Sequence, residues 1–346
     1  MKKLSFRFTH GETACYLGES FSRLGDYADP AHSVVVLDHT VKRIHGSLLE
    51  GWKTIQLPEG EDHKDLESLC RIIEELIRLG ADRRTLLIGV GGGVVTDTAG
   101  FAAAIYLRGI PYAAVPTTLL AQVDASLGGK NGINFGNFKN ILGTTRQPQF
   151  ILFDYDLLST LPQPEWRHAY AEIIKYGCIL DGGLFELLER EGTSGIFPDP
   201  ALVPQLVERC VMLKSVLVQQ DEFEDGPRRL LNFGHTLGHA LEKLYRIPHG
   251  QAVSLGMVGA AFFSRKLAGF PHESEKRLIR MLESYGLPVR MDFDTEKVLG
   301  QFSMDKKRQS DQIHFVLLRE IGEAITFPLP LKELGPLLQE LKAANH

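Results

Sequence analysis

Along the first half of the chain, short apolar runs rich in β-branched residues alternate with stretches whose apolar positions recur every three or four residues. Residues 33–37 (SVVVL), 53–57 (KTIQL) and 85–90 (TLLIGV) read as strands, and 62–79 as an amphipathic helix. This alternation predicts an α/β domain with a parallel sheet, because parallel neighbours need a helical crossover between them. The N-terminal ten residues alternate like a further strand. Beyond residue 162 the period changes: helical patterns cover 201–219, 230–245, 251–268 and 274–284, and strand signals nearly vanish. The change falls at LPQP, residues 161–164, whose prolines interrupt a helix. The reading is therefore an α/β domain over 1–160 and a mostly α-helical domain over 161–346, with an active site expected in the cleft between them. One late exception, 313–318, follows Met304-Asp305-Lys306-Lys307 and is expected to pair with a local strand.

Length agrees with two domains, since single cores stop growing near about 250–300 residues and the chain has 346. With 44% hydrophobic and 23% charged residues, neither disorder nor a fibrous repeat is indicated. A net charge of -5 gives no broad attraction to nucleic acid or an anionic membrane, so any phosphate site must be local. Cys15, Cys70, Cys178 and Cys210 form neither a C-x-x-C pair nor a disulfide ladder. No signal-like segment and no run of roughly 20 apolar residues is present, so a cytoplasmic location is expected.

Candidate chemistry lies at three places. After the 85–90 strand comes GGGVVTD, residues 91–97, and then helix-compatible sequence. A strand, a glycine turn and a helix N-terminus suit a pyrophosphate, although Val94 breaks the G-x-G-x-x-G spacing counted from Gly89. Asp38, at the end of an earlier strand, suits either a ribose contact or a helix cap; Glu61 and Lys64 also suit a plain helix start. Next, His235 and His239 share a helix face, His249 follows, and Glu172 and Lys175 lie one turn apart among apolar neighbours. One carboxylate with imidazoles is a familiar zinc donor set, and Thr236, standing where H-E-x-x-H has its glutamate, excludes that protease motif. Finally, Asp124, Lys130, Lys139 and Asn140 crowd a glycine-rich stretch, while Lys214, Arg228 and Asn232 precede His235. Such donors suit a phosphate and a carboxylate as well as a solvated surface.

Taken in order, GGGVVTDTAGF, PTTLLAQVDASLGGK, AEIIKYG, LNFGHTLGHALE and HGQAV resemble the 3-dehydroquinate synthase family from about Asp38 to about Gly322. The resemblance implies a dehydroquinate synthase-like fold, with a Rossmann-like NAD-binding domain followed by a helical domain that binds metal and substrate. It implies a zinc or cobalt ion on Glu172, His235 and His249. It places NAD on Asp38, Glu61, Lys64, Gly91, Gly92, Gly93, Asp97, Thr117, Thr118, Lys130, Lys139, Thr160, Leu161 and Glu165. Substrate falls on Asp124, Lys130, Lys139, Asn140, Lys175, Lys214, Arg228, Asn232, His239 and Lys306, the last chosen over Lys307. Lys130, Lys175, His239, Arg228 and Asp124 are the implied catalytic set. Arg108 matches an arginine that reaches the neighbouring subunit's phosphate, which implies a homodimer.

The implied reaction converts a heptulosonate 7-phosphate to 3-dehydroquinate by transient NAD oxidation, phosphate elimination, re-reduction and aldol closure, a step of the shikimate pathway. Thr40, Thr96, Asn131, Gln251 and the turn Phe135-Gly136-Asn137-Phe138 depart from the family's usual pattern, and none is a proposed ligand. The rivals are another sugar-phosphate cyclase, whose substrate lacks the acid group, a metal-dependent NAD alcohol dehydrogenase, and a non-catalytic protein that kept the pocket.

Overall fold

The structure is a computed structural model and describes residues 1–136, 138–192, 200–303 and 311–344. In chain order the elements begin with β1 (Lys2–Phe8), β2 (Gly11–Leu17), β3 (Ser33–Asp38), α1 (His39–His45), β4 (Lys53–Leu57), α2 (Leu66–Arg78), β5 (Leu86–Gly91) and α3 (Gly93–Ile105). β6 (Tyr112–Pro116), β7 (Lys130–Phe135), β8 (Phe138–Thr145), β9 (Phe150–Phe153), α4 (Gln163–Ile179), α5 (Gly182–Gly192) and α6 (Val203–Gln220) follow. The chain ends with α7 (His235–Tyr245), α8 (His249–Leu267), α9 (His272–Ser284), α10 (Thr295–Ser303), β10 (Gln312–Glu320), β11 (Glu323–Pro330) and α11 (Leu331–Ala344). Two compact units result, Met1–Glu165 with Pro200–Phe223, and Trp166–Asp199 with Glu224–His346. The segment carrying α6, beyond the expected boundary at 160, thus groups with the N-terminal unit.

Among the described residues the first unit holds a 7-stranded sheet in the order β1-β2-β9-β6-β5-β3-β4. Only the β1–β2 pair is antiparallel. β6 and β9 are buried throughout and β3 and β5 nearly so, as their unbroken apolar runs require of strands covered on both faces. On one face Val35, Leu37, Ile88, Val90, Val115 and Leu152 share a core with Phe21, Leu24 and Leu157. From β3 the chain goes to β4 on one side and then to β5 on the other. The carboxyl ends of β3 and β5 therefore flank the topological switch point, where open α/β sheets take their ligands. β7 and β8 form a separate antiparallel hairpin.

In the second unit α4 is buried from Ala169 to Ile179, and Leu237, Leu241, Phe262, Phe263, Phe315 and Leu338 lie in one core. α7 and α8 pack backbone to backbone: a Cβ on Gly256 would lie 1.8 Å from the Gly234 carbonyl oxygen, and one on Gly238 2.7 Å from that of Ala252. The local strand pair expected near 313–318 is the β10–β11 hairpin. Two details differ from the sequence reading. The helix expected over 230–245 is a 3-10 turn at Pro227–Asn232 and then α7, because Gly234 adopts φ 77 and stops the helical path. Pro162 and Pro164 do not break a helix; α4 starts between them, and Pro164 falls in the first turn, where no intrahelical N–H is needed. No helix among the described residues is long and apolar enough to cross a membrane.

Candidate functional site

β5 ends at Gly91, Gly92 caps α3, and Gly93 opens it. A Cβ on Gly91 would lie 2.6 Å from the Val95 Cβ, one on Gly92 3.1 Å from Thr118 Cγ2, and one on Gly93 3.2 Å from the Ala125 Cβ. The turn must stay bare, which leaves the N–H groups and the positive end of α3 available to an anionic pyrophosphate. The Thr117 amide donates to the Gly91 carbonyl at 3.0 Å and ties β6 to this turn. Asp38 caps α1, accepting from the Val41 amide at 2.7 Å. Burial raises its carboxyl above the usual range, with nearby Glu59 adding to the effect.

Lys64 is buried and donates to Asp97 Oδ2 at 2.5 Å and Asn140 Oδ1 at 2.6 Å. Burial pushes the Asp97 carboxyl up despite that ammonium. Asn134 joins the group from three sides: its Nδ2 donates to Glu61 at 2.9 Å, its Oδ1 accepts from the Asn140 amide at 2.9 Å, and its amide donates to the Lys64 carbonyl at 2.7 Å. Also in this unit, Lys214 of α6 donates to the Asp124 carbonyl at 2.8 Å and to its carboxylate. Asp124 lies in a π-helical turn, Ala121–Ala125, a form that recurs at functional sites. Lys130 and Lys139 are exposed on β7 and β8. Thr160 donates to the Leu157 carbonyl at 3.1 Å and lies 3.3 Å from His45 Nε2; Leu161 and Glu165 adjoin the start of α4. Exposed Arg108, at φ 66, follows Leu107 at φ 50; two successive left-handed residues other than glycine are strained.

In the second unit Glu172 sits in mid-α4 with a fully buried side chain, while His235 and His249 are the first residues of α7 and α8. The glycine packing of those two helices brings their first turns together. His235 Nε2 lies 3.3 Å and His249 Nε2 3.4 Å from the same Glu172 oxygen, Oε1. Lys175, one turn along α4 and equally buried, contacts the other oxygen. One donor atom from each of Glu172, His235 and His249 lies within 4.8 Å of the others. A carboxylate with two imidazoles suits zinc or a similar divalent ion with a position left open.

The electrostatics agree with that donor set. Burial opposes the Glu172 anion, but Lys175 and His235 outweigh it and hold the carboxyl well below its usual range. Burial, only partly offset by Glu172, pushes His235 down toward its neutral, ligating form. For His249 burial is outweighed by Glu172 and Glu242, which raise it to about 9. His239 is exposed, with its ring 5.2 Å from that of His235, and it groups with Glu242 and His249 rather than with Glu172.

Arg228 is 1% exposed in the Pro227–Asn232 turn. Asn232 donates to Glu224 and, at 3.2 Å, to the Arg229 carbonyl. Lys306 lies outside the described residues. Sequence reasoning missed Asn134 and Glu242. Asn134 has no sequence signal, since Asn140 reaches it only across the β7–β8 hairpin and Glu61 and Lys64 only through the tertiary fold. Glu242 had one: it stands seven residues after His235, two helical turns on the same face.

The fold is similar to that of 2-epi-5-epi-valiolone synthase from Streptomyces hygroscopicus subsp. jinggangensis, a solved structure with NAD+ and Zn2+ bound. The TM-score is 0.87 at 26% identity, covering 99% of this chain and 98% of that one. The protein thus has the fold of the sugar-phosphate cyclases. The family models for the 3-dehydroquinate synthase N-terminal and C-terminal parts match residues 54–168 and 169–308. The 3-dehydroquinate synthase of Nitrosomonas europaea is 44% identical over 84% of this chain and 79% of its own. That of Pelobacter propionicus is 42% identical over 85% of this chain and 84% of its own. The chain belongs to the 3-dehydroquinate synthase family.

Proposed function

We propose that the protein converts 3-deoxy-D-arabino-heptulosonate 7-phosphate to 3-dehydroquinate and phosphate, as a cytoplasmic homodimer using NAD and a divalent metal, zinc or cobalt. The observation that carries this reading is the convergence of Glu172, His235 and His249 beside buried Lys175, in a chain of this family. The bare glycine turn with Asp38, Glu61, Lys64, Asp97, Thr117, Thr118, Lys130, Lys139, Thr160, Leu161 and Glu165 would hold NAD, which would supply reversible hydride acceptance with no net redox change. A metal held by the triad supplies Lewis-acid polarisation of a substrate oxygen.

The chain's own residues do the rest. Arg228 and Lys214 hold the substrate carboxylate, with Lys214 also bonded to Asp124. Lys130, Asn140, Asn232 and His239 hold the phosphate, and Asp124, Lys139, Lys175 and Lys306 complete the substrate contacts. The departing phosphate takes the carbon-bound proton, so no dedicated protein base is required. Arg108, on its strained exposed turn, reaches the phosphate of the neighbouring subunit.

Purified enzyme mixed with NAD, zinc and the heptulosonate 7-phosphate yields phosphate and 3-dehydroquinate in equal amounts, without net NADH. Arg228→Ala lowers kcat/KM by about 30-fold or more, the equivalent of the roughly 2 kcal/mol lost when a buried charge pair is truncated. Absence of phosphate release would overturn the reading, and steady NADH accumulation would replace it with a metal-dependent alcohol dehydrogenase.

A further inference from the structure

We infer that Glu242 is a positioning residue that sets the tautomer and ring orientation of His249, so that Nε2 of His249 faces Glu172 for metal ligation. This rests on the metal-site reading above. A neutral imidazole ligates through one nitrogen and keeps its proton on the other, and an acceptor for that proton fixes which is which. In His249 the two nitrogens face two carboxylates: Nε2 lies 3.4 Å from Glu172 Oε1 and Nδ1 3.5 Å from Glu242 Oε1. The second distance is at the outer limit of a hydrogen bond.

His235 solves the same problem with backbone. Its Nδ1 lies 3.1 Å from the Phe233 carbonyl and its Nε2 points to the same Glu172 oxygen. At α8 the ring nitrogen of His249 turned away from Glu172 faces Glu242. A side chain from the adjoining helix serves instead. Glu242 is suited to it: it is 6% exposed, it lies on the His235 face of α7, and the close α7–α8 packing fixes its distance from His249. Burying a carboxylate is costly without a hydrogen-bond donor, and Nδ1–H is one.

The competing arrangement uses the other cluster, His239, Glu242 and His249, as a metal site of its own. It would need His249 Nδ1 deprotonated and Glu242 and His239 as direct ligands, so three variants separate the two. Zinc affinity is measured by competition with a chromophoric chelator for Glu242→Ala, Glu242→Gln and His239→Ala. The nitrogen NMR spectrum of the His249 ring is recorded for the zinc-loaded wild type and for Glu242→Gln. Expected are a fall of about 10–100-fold for Glu242→Ala, the usual cost of losing an outer-shell partner, and substantial recovery for Glu242→Gln, whose amide oxygen still accepts from Nδ1–H. His239→Ala keeps wild-type affinity, and both spectra show the proton on Nδ1. Should Glu242→Ala fail to fold, the spectra and the glutamine variant decide. Wild-type zinc affinity in Glu242→Ala, a proton on Nε2, or equal losses for His239→Ala and Glu242→Ala would overturn the inference. A wild-type protein that binds no zinc would instead overturn the metal-site reading beneath it.

Discussion

The two units build their sites from different materials. In the first, the turn at Gly91–Gly93 works by absence: each added Cβ meets a neighbour at 2.6 to 3.2 Å, and what remains is backbone at a helix end. In the second, chemistry comes from side chains of one required type on rigid helices, and glycines serve only to bring the helices together. The first site therefore depends on space staying empty, and the second on particular atoms being held in place.

A crossed pair of substitutions tests that contrast and carries the largest expected effect. In Gly256→Ala the new methyl meets the Gly234 carbonyl, so α7 and α8 must separate and His235 moves relative to His249. Zinc affinity should fall at least about 100-fold, beyond the usual outer-shell loss, and stability by about 1–3 kcal/mol, while NADH binding followed by fluorescence is retained. Gly91→Ala should do the reverse, losing NADH binding and keeping zinc. A variant that lost both ligands would show that the two sites are not built independently.

The next effect separates the units by pH. His249 is raised from 6.5 to about 9 in the protein without metal, so zinc must displace a proton from it. Below that value zinc affinity should rise about tenfold per pH unit from this proton alone, and flatten above it. The stability sign runs the other way: a raised folded pKa stabilises the zinc-free protein fully below 6.5, and this is lost as pH rises through about 9. His235, pushed down by burial, opposes this on the acid side. Chelator competition and thermal unfolding across that window check both signs. A flat zinc affinity would mean that His249 is not a ligand.

Legibility in the sequence followed the same division. Strands such as β3 and β5 were readable because burial on both faces demands continuous apolar runs, and His235 with His239 because helical spacing shows in numbering. Long-range pairing left no such trace. Asn131 is buried on β7, donates at 2.8 Å to the carbonyls of both Gly129 and Arg146, and fills the space that Gly100 leaves on α3. In the sequence it was only one of the departures from the family's usual pattern. The role of Gly234 was equally hidden: a residue at φ 77 ends the preceding turn and starts α7 at His235, whereas periodicity ran straight through it.

The smallest effect concerns Asp38, where the two kinds of construction meet in one side chain. Its carboxylate caps α1 through the Val41 amide, a role asparagine fills about as well, so Asp38→Asn should change stability by no more than about 0.5 kcal/mol. Asp38→Ala removes the cap and should cost about 0.5–2 kcal/mol. A ribose contact adds a second requirement, because hydrogen bonds to a charged acceptor are roughly twice as strong as neutral ones. If Asp38 also holds the ribose, Asp38→Asn weakens NADH binding about fivefold, the equivalent of about 1 kcal/mol, with unfolding unchanged. Unaltered NADH affinity in that variant, together with a stability loss in Asp38→Ala, would reduce Asp38 to a helix cap and leave cofactor recognition to the glycine turn and the Lys64–Asp97 pair.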